Sequence, residues 1–221
     1  MNLEYHSYVG ADQLPGLGHS VLPEDAHPST KADELHFKRV HLHSELLLAQ
    51  ILIDLEVATS GVDRMRDLGQ GLFHLDRSAA LFERLAADLR LLRPPYFPRE
   101  RFDAFRDLLS PASGAQSRLF REVRESLGLE GIASPIFEAF RGAVEAYDGL
   151  TVSQVLQKPN LQLYRISHSL LRVSAAYKNW WWNHLQNAEL LLGPGTSGTG
   201  GTAGTEYLKR RSVSPFPELW V

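Results

Sequence analysis

The stretch from Asn179 to Gly204 constrains the fold most, because it joins an unbroken helical pattern to a glycine-rich loop. One face of the helix is apolar and carries a single histidine. Its members are Tyr177, Trp181, His184, Ala188 and Leu191. We expect the helix to end at Gly193, since glycine favours the position after a last turn and the proline that follows cannot continue it.

The glycine-rich loop could form a binding site, but its residues alone do not decide this. Its backbone N–H groups and its hydroxyls could wrap an anion, because glycine reaches the φ values that turn successive N–H groups inward. It does not match a Walker loop, which needs a lysine, nor a dinucleotide fingerprint, which follows a strand. A lone histidine on an apolar face is more often a core residue, and a Gly/Thr loop is more often a flexible connection.

Composition removes several classes of site. The chain has no cysteine, which excludes disulfides, thiolate catalysis, iron–sulfur clusters and thioether-linked haem. Any metal must therefore be held by His, Asp or Glu. The formal charge of −3 gives no electrostatic reason to expect nucleic acid or an anionic membrane as a partner. Since no apolar stretch approaches membrane-spanning length and the amino terminus has no targeting pattern, we expect a cytoplasmic protein.

The sustained patterns along the chain have a helical period, so we predict an all-α fold, a helical bundle. At 221 residues the chain is long enough for one domain with a full core. Residues 1–32 show no sustained period and are interpreted as an amino-terminal arm, followed by a helical domain over 33–221. The predicted helical segments are 33–59, 61–93, 99–109, 115–127, 129–158 and 160–192.

Five sequence elements, taken in order, resemble the tryptophan 2,3-dioxygenase family of haem-dependent aromatic oxygenases. They are EYHSYVGADQL near the start, DELHFKRVHLHSELLLAQILIDLE, SPASGAQSRLFRE, the helical histidine followed by GTGGTAG, and the ending with TEYLKRR and FPELW. Together they cover most of the chain apart from a segment at 122–183 that is shorter than in typical members. The chain therefore resembles a shortened, bacterial-type member of this family.

The resemblance implies a helical bundle that encloses a b-type haem. By the family pattern, His184 is the proximal axial ligand of the haem iron. The glycine-rich loop, with Gly198, Gly200 and Gly201, closes over the haem edge and the substrate. Thr199 contacts the amino and carboxylate groups of the substrate.

The other elements imply the rest of the active site. His41 matches the distal histidine that accepts the indole N–H, and Phe37, four residues earlier on the same helical face, packs near the indole ring. Arg121 matches the arginine that binds the substrate carboxylate, a task that suits a planar guanidinium. Tyr5 and Tyr8 match an arm that walls the active site of a neighbouring subunit, which implies a homo-oligomer, a dimer or a tetramer.

The implied reaction inserts O2 across the indole C2–C3 bond of L-tryptophan to give N-formylkynurenine. Three positions depart from the family pattern, namely His36, Leu47 and Ala115, where a leucine, a tryptophan and an aromatic residue are usual. These departures keep open a haem oxygenase or hydroxylase of the same superfamily that acts on a modified tryptophan or a tyrosine in secondary metabolism. A non-catalytic haem-binding or sensor bundle is a further alternative, although it would have no need of the amino-acid clamp formed by Arg121 and Thr199.

Overall fold

The computed structural model describes residues 4–193 and 204–220, and within these ranges all regular structure is helical, which confirms the all-α prediction. The α-helices are α1 (Tyr5–Val9), α2 (Leu14–Leu17), α3 (Pro28–Val62), α4 (Leu68–Asp88), α5 (Arg99–Asp103), α6 (Arg118–Ser126), α7 (Pro135–Ala146), α8 (Val152–Leu156), α9 (Gln162–Leu192) and α10 (Thr205–Arg210). Short 3₁₀ turns lie at Ala11–Gln13, Asp63–Met65, Leu89–Leu92, Arg106–Leu109, Gly114–Gln116 and Pro217–Leu219.

Three long helices, α3, α4 and α9, pack against one another and form the body of the bundle. Helix α9 runs for 31 residues without an internal glycine or proline, so nothing in its sequence interrupts the backbone hydrogen bonds. It ends at Leu192, and Gly193 follows with a φ of 80°, a value that glycine adopts without a steric penalty. The predicted end of this helix is confirmed.

Polar residues cap the starts of several helices. The Asp67 side chain accepts the backbone N–H of Gln70 at the start of α4, and Ser117 accepts that of Phe120 at the start of α6. Such caps satisfy backbone donors that have no partner inside the helix, and each contributes about 1 kcal/mol. The Ser117 cap matters for function because it fixes where α6 leaves the preceding turn.

The core is a continuous cluster of apolar side chains between α3, α4, α6, α7 and α9. Its largest fully buried members include Phe82, Phe140, Tyr177 and Trp181. Each such side chain contributes about 1.5–3 kcal/mol when it leaves water. At the α3–α4 hairpin the backbones come so close that a Cβ atom on Gly61 would lie 2.7 Å from the Asp67 carbonyl oxygen. A side chain at this position would force the two helices apart.

The amino-terminal segment packs less tightly than the bundle. Tyr5 and Tyr8 are 72% and 70% exposed on α1. Helix α3 begins at Pro28, five residues before its predicted start at Asp33, because His27 caps it and Pro28 occupies its first turn. No helix within the described ranges is both long and apolar enough to cross a membrane.

Candidate functional site

A cavity of about 220 Å³ lies between α3 and α9 and is lined mostly by apolar atoms. The 3₁₀ turn at 89–92 and residues 113–117 complete its walls, together with residues at the start of α10. His41 and His184 both line this cavity, one from α3 and the other from α9. The structure thus brings together the two histidines that the sequence singled out.

His184 projects from α9 with no hydrogen bond to any residue that the structure describes. Its ring lies beside two indoles, with ring centroids 6.4 Å from Trp180 and 6.2 Å from Trp181. Burial, together with the nearby His41, lowers the pKa of His184 to about 4. The imidazole is therefore neutral at pH 7, and a nitrogen lone pair is available to a metal.

His41 has one ring nitrogen committed and the other free. Its Nδ1 lies 2.8 Å from the backbone carbonyl oxygen of Phe37. Because a carbonyl oxygen can only accept, Nδ1 carries the proton, and in the neutral ring Nε2 is then an acceptor. Burial lowers the pKa of His41, although the hydrogen bond to Phe37 and the charge of Glu45 act in the opposite direction. The histidine therefore presents an acceptor and not a cation.

Phe37 lines the cavity and also belongs to a cluster of phenylalanines. Its ring centroid lies 4.2 Å from that of His41 and 5.2 Å from that of Phe102. Phe97 and Phe105 lie on its other sides at 6.0 and 5.9 Å. These contacts hold the Phe37 ring and stabilise the His41 ring beside it, so this wall is preformed.

Trp181 anchors the face of α9 that carries His184. Its indole N–H donates to the carbonyl oxygen of Leu208, 3.1 Å away, and its ring stacks on Phe120 with centroids 5.6 Å apart. The guanidinium of Arg124 lies 5.0 Å from the ring centroid of Trp181. Because all these contacts converge on one indole, the turn from Trp181 to His184 has a fixed position relative to α6 and α10.

An ion-pair network joins α6 to the segment after the glycine-rich loop. Glu130 accepts hydrogen bonds from both Arg124 and Arg211. Burial would raise the pKa of Glu130, but these two guanidinium groups outweigh it and hold that pKa below its usual range. Arg124 also donates to the hydroxyl of Tyr177, and burial raises the pKa of Tyr177 to about 12. The network keeps α10, whose Tyr207 lines the cavity, against the bundle.

The remaining predicted site residues lie elsewhere or outside the described residues. Arg121 is exposed and is not among the residues that line the cavity, although it lies one turn after Ser117, which does line it. Tyr5 and Tyr8 do not line the cavity of their own chain. The predicted contacts of the glycine-rich loop, at Gly198, Thr199, Gly200 and Gly201, fall outside the described residues. The roles assigned to all of these residues stay predictions.

The sequence analysis missed several residues of the site. Asn187 is 3% exposed and lines the cavity one turn after His184. Its side-chain N–H donates to the carbonyl oxygen of Leu89, 2.7 Å away, and its side-chain oxygen accepts from Arg93. The spacing of three residues from His184 on the same helix is the signal that could have indicated Asn187. Arg93 has no comparable signal, because its partners are distant in the sequence.

These residues suit a b-type haem better than a metal ion held by several side chains. Among the described residues no group of three or more His, Asp or Glu is arranged to hold a metal. A haem iron needs only one protein ligand, and His184 offers a neutral, uncommitted imidazole on an apolar wall. His41 on the facing helix leaves a free acceptor for a second molecule. The donor set therefore fits haem, which His184 would hold.

Comparison with known proteins gives a consistent result at low identity. No family model matches the chain. The tryptophan 2,3-dioxygenase of Ruegeria sp. (strain TM1040) is 27% identical over 267 aligned residues, which cover 99% of this chain and 91% of the relative. The tryptophan 2,3-dioxygenase of Bradyrhizobium diazoefficiens has the same identity and coverage. That of Herpetosiphon aurantiacus is 25% identical over 262 residues, with 99% and 96% covered.

The length of these alignments bears on the predicted shortening. The first alignment spans 267 positions and the chain has 221 residues, so at least 46 positions, the difference, have no counterpart in this chain. The chain nevertheless spans about nine tenths of these relatives. It is therefore similar to whole proteins of this kind, with internal deletions.

Proposed function

We propose that the chain belongs to the tryptophan 2,3-dioxygenase family and that it inserts both atoms of O2 across the indole C2–C3 bond of L-tryptophan to give N-formylkynurenine. It is an oxidoreductase of this type, with an all-α fold. The proposed cofactor is haem b and the proposed location is the cytoplasm. The proposed partners are L-tryptophan and O2, and the proposed assembly is a homo-oligomer, a dimer or a tetramer.

One observation carries the proposal, namely that two neutral imidazoles with different hydrogen bonding line the same cavity. His184 has no hydrogen-bond partner among the described residues, so its lone pair is available to iron. The Nδ1–H of His41 already donates to the Phe37 carbonyl oxygen, so the other ring nitrogen, Nε2, can only accept a hydrogen bond. A core histidine with a purely structural role would be expected to satisfy its ring nitrogens within the protein. The pair instead leaves a lone pair on His184 for a metal and a hydrogen-bond acceptor on His41 for a bound molecule.

Haem, when bound, supplies the O2 chemistry, while the protein supplies binding, orientation and exclusion of water. We propose that His184 would hold the haem iron. Because burial keeps this imidazole neutral, no proton has to leave before it binds iron. The apolar and aromatic walls keep water away from the reacting atoms.

His41 and Phe37 would orient the substrate ring. Nε2 of His41 would accept the indole N–H, and the ring of Phe37, held by its phenylalanine neighbours, would lie against the indole. The hydrogen bond to His41 would fix the direction of the indole N–H, and the Phe37 ring would fix the plane of the indole. Such positioning can lower a barrier by roughly 7–11 kcal/mol in favourable cases.

The amino-acid end of the substrate is assigned to Arg121 and Thr199. Arg121 lies next to the turn at 113–117, which lines the cavity, and pairs with no carboxylate among the described residues. A free guanidinium can bind a carboxylate through two parallel hydrogen bonds. Tyr5 and Tyr8, which are exposed on their own chain, would enclose the active site of a neighbouring subunit.

A second candidate substrate, a modified tryptophan or a tyrosine, is favoured by the small residues at 113–117. Ser113, Gly114, Ala115 and Ser117 line this part of the cavity, and none has a bulky side chain. A Cβ atom added to Gly114 would meet nothing within 4 Å. No bulky side chain at these four lining positions therefore excludes a substituent that L-tryptophan lacks.

The test is aerobic turnover of the haem-reconstituted, reduced protein, with the product identified by mass. L-Tryptophan should give a product with two added oxygen atoms that co-elutes with N-formylkynurenine. If haem binds and L-tryptophan is not consumed, the dioxygenase proposal fails, and turnover of ring-substituted tryptophans or of tyrosine would support the second candidate. The variant Ala115→Phe should reduce turnover of a bulky substituted substrate far more than turnover of L-tryptophan.

A further inference from the structure

The guanidinium of Arg93 spans the turn of α9 that carries His184. Its Nη2 donates to the backbone carbonyl oxygen of Asn183, 2.8 Å away, and to the side-chain oxygen of the same residue at 3.1 Å. Its Nε donates to the side-chain oxygen of Asn187. Arg93 thus contacts the residue before His184 and the residue three positions after it.

Arg93 also connects that turn to another wall of the cavity. It follows directly on the 3₁₀ turn at 89–92, whose Leu89 and Leu92 line the cavity. Asn187 donates back to the carbonyl oxygen of Leu89 at 2.7 Å, which closes a loop of hydrogen bonds between the two walls. A planar guanidinium is suited to this arrangement because its donors have a fixed geometry, whereas a lysine has a single flexible ammonium group.

The charge of Arg93 is not neutralised by a neighbouring anion. Its side-chain hydrogen bonds within the described ranges all go to neutral oxygen atoms, and it forms no ion pair with an acidic residue there. Arg124, another guanidinium close to this helix, differs because Glu130 pairs with it. The side of the cavity that carries His184 therefore has one uncompensated positive charge next to its histidine turn.

We propose that Arg93 is a positioning residue for the axial ligand His184 and that its charge raises the reduction potential of the haem iron, which favours the ferrous state that binds O2. This inference rests on the proposed function, since it requires haem to bind through His184. The physical reason is Coulombic: a fixed positive charge disfavours the extra positive charge of ferric iron. The hydrogen bonds act separately, because they hold the ligand turn in place.

The test compares the haem midpoint potential of the wild type with that of three variants. Arg93→Gln removes the charge and keeps an amide donor, Arg93→Lys keeps the charge and loses the fork, and Arg90→Gln removes an exposed charge three residues away. We expect Arg93→Gln to raise the ferric-to-ferrous ratio at a fixed potential at least threefold, about 28 mV at 59 mV per tenfold change for one electron. Arg93→Lys and Arg90→Gln should stay close to the wild type.

Several results would overturn the inference. An unchanged potential in Arg93→Gln would remove the electrostatic role, and an equal shift in Arg90→Gln would show that only net charge matters. An equal shift in Arg93→Lys would show that the charge is not the cause. If Arg93→Gln does not fold, the positioning role is tested with Arg93→Lys, by measuring the rate at which its haem transfers to an acceptor protein. Arg93→Lys should lose haem several-fold faster than the wild type, and an unchanged rate would refute the positioning role.

The wild-type spectrum separates this inference from the proposed function. If the wild-type protein takes up no haem, the proposed function and the inference fail together. If it takes up haem and turns over L-tryptophan while the Arg93 variants keep the wild-type potential and haem-loss rate, only the inference fails.

Discussion

Acid should destabilise the haem-free protein through His184, and the size of the effect follows from its burial. The pKa of His184 falls from 6.5 in the unfolded chain to about 4 in the folded protein. Between these values the unfolded chain binds a proton that the folded protein does not. The free energy of unfolding is therefore highest above the unfolded pKa and decreases as the pH falls from 6.5 towards 4.

The linkage relation gives the magnitude. The fall in the pKa of His184 from 6.5 to about 4, at 1.36 kcal/mol per pKa unit, sets a limit of roughly 3 kcal/mol, reached below both pKa values. Between pH 7.5 and pH 5 the same relation gives a loss of about 2 kcal/mol. This is a large part of the 5–15 kcal/mol that typically separates folded from unfolded domains.

Urea unfolding of the haem-free wild type and of His184→Gln at both pH values measures this loss. The variant cannot titrate at this position, so it should lose about 2 kcal/mol less than the wild type over the same interval. His168→Gln is the matched control, since His168 is exposed on the same helix and its replacement should leave the wild-type acid sensitivity in place. Equal pH dependence in wild type and His184→Gln would refute the reasoning.

Three other perturbations test separate parts of the structure. Arg121→Ala should reduce kcat/KM for L-tryptophan by an amount equivalent to about 1.5–3 kcal/mol, the contribution of a charged hydrogen bond, whereas Arg118→Ala on the same helix should have little effect; equal losses would show that the carboxylate binds elsewhere. Asp54→Asn should lower the free energy of unfolding by about 1.5–3 kcal/mol, because the buried Asp54 carboxylate accepts charged hydrogen bonds from Arg77, whose guanidinium is partly exposed. The exposed Glu56→Gln is its control in urea unfolding, and a comparable loss there would contradict this reasoning. Deletion of residues 1–10 should raise the KM for L-tryptophan, and an unchanged KM would reject a role of the arm in a neighbouring active site.

Spacing along single helices predicted much of the fold and part of the site. The alternation of apolar residues at three and four positions placed Phe37 and His41 on one face of α3, and His184 on one face of α9, because side chains that far apart project from the same side. The structure shows these faces lining one cavity. The end of α9 at Gly193 was predictable because glycine and proline have strong local preferences.

Contacts between distant parts of the chain were not predictable from such patterns. Arg93 and Asn187 are 94 positions apart, and Trp181 donates to a carbonyl oxygen 27 positions later. A local pattern reports the face of a helix, whereas these bonds depend on how the helices pack. The segment predicted as one helix over 129–158 is divided into α7 and α8, since a turn with positive φ at Asp148 and Gly149 separates them.

The central claim is that His184 holds a haem iron in a cavity built for an aromatic amino acid. The most direct measurement is a spectroscopic haem titration of the wild type, His184→Ala and the control His168→Ala, with the ferric and ferrous spectra recorded. Wild type and control should bind one haem per chain with the spectrum of a histidine-ligated iron, and His184→Ala should lose that spectrum. An unchanged haem spectrum in His184→Ala would contradict the account.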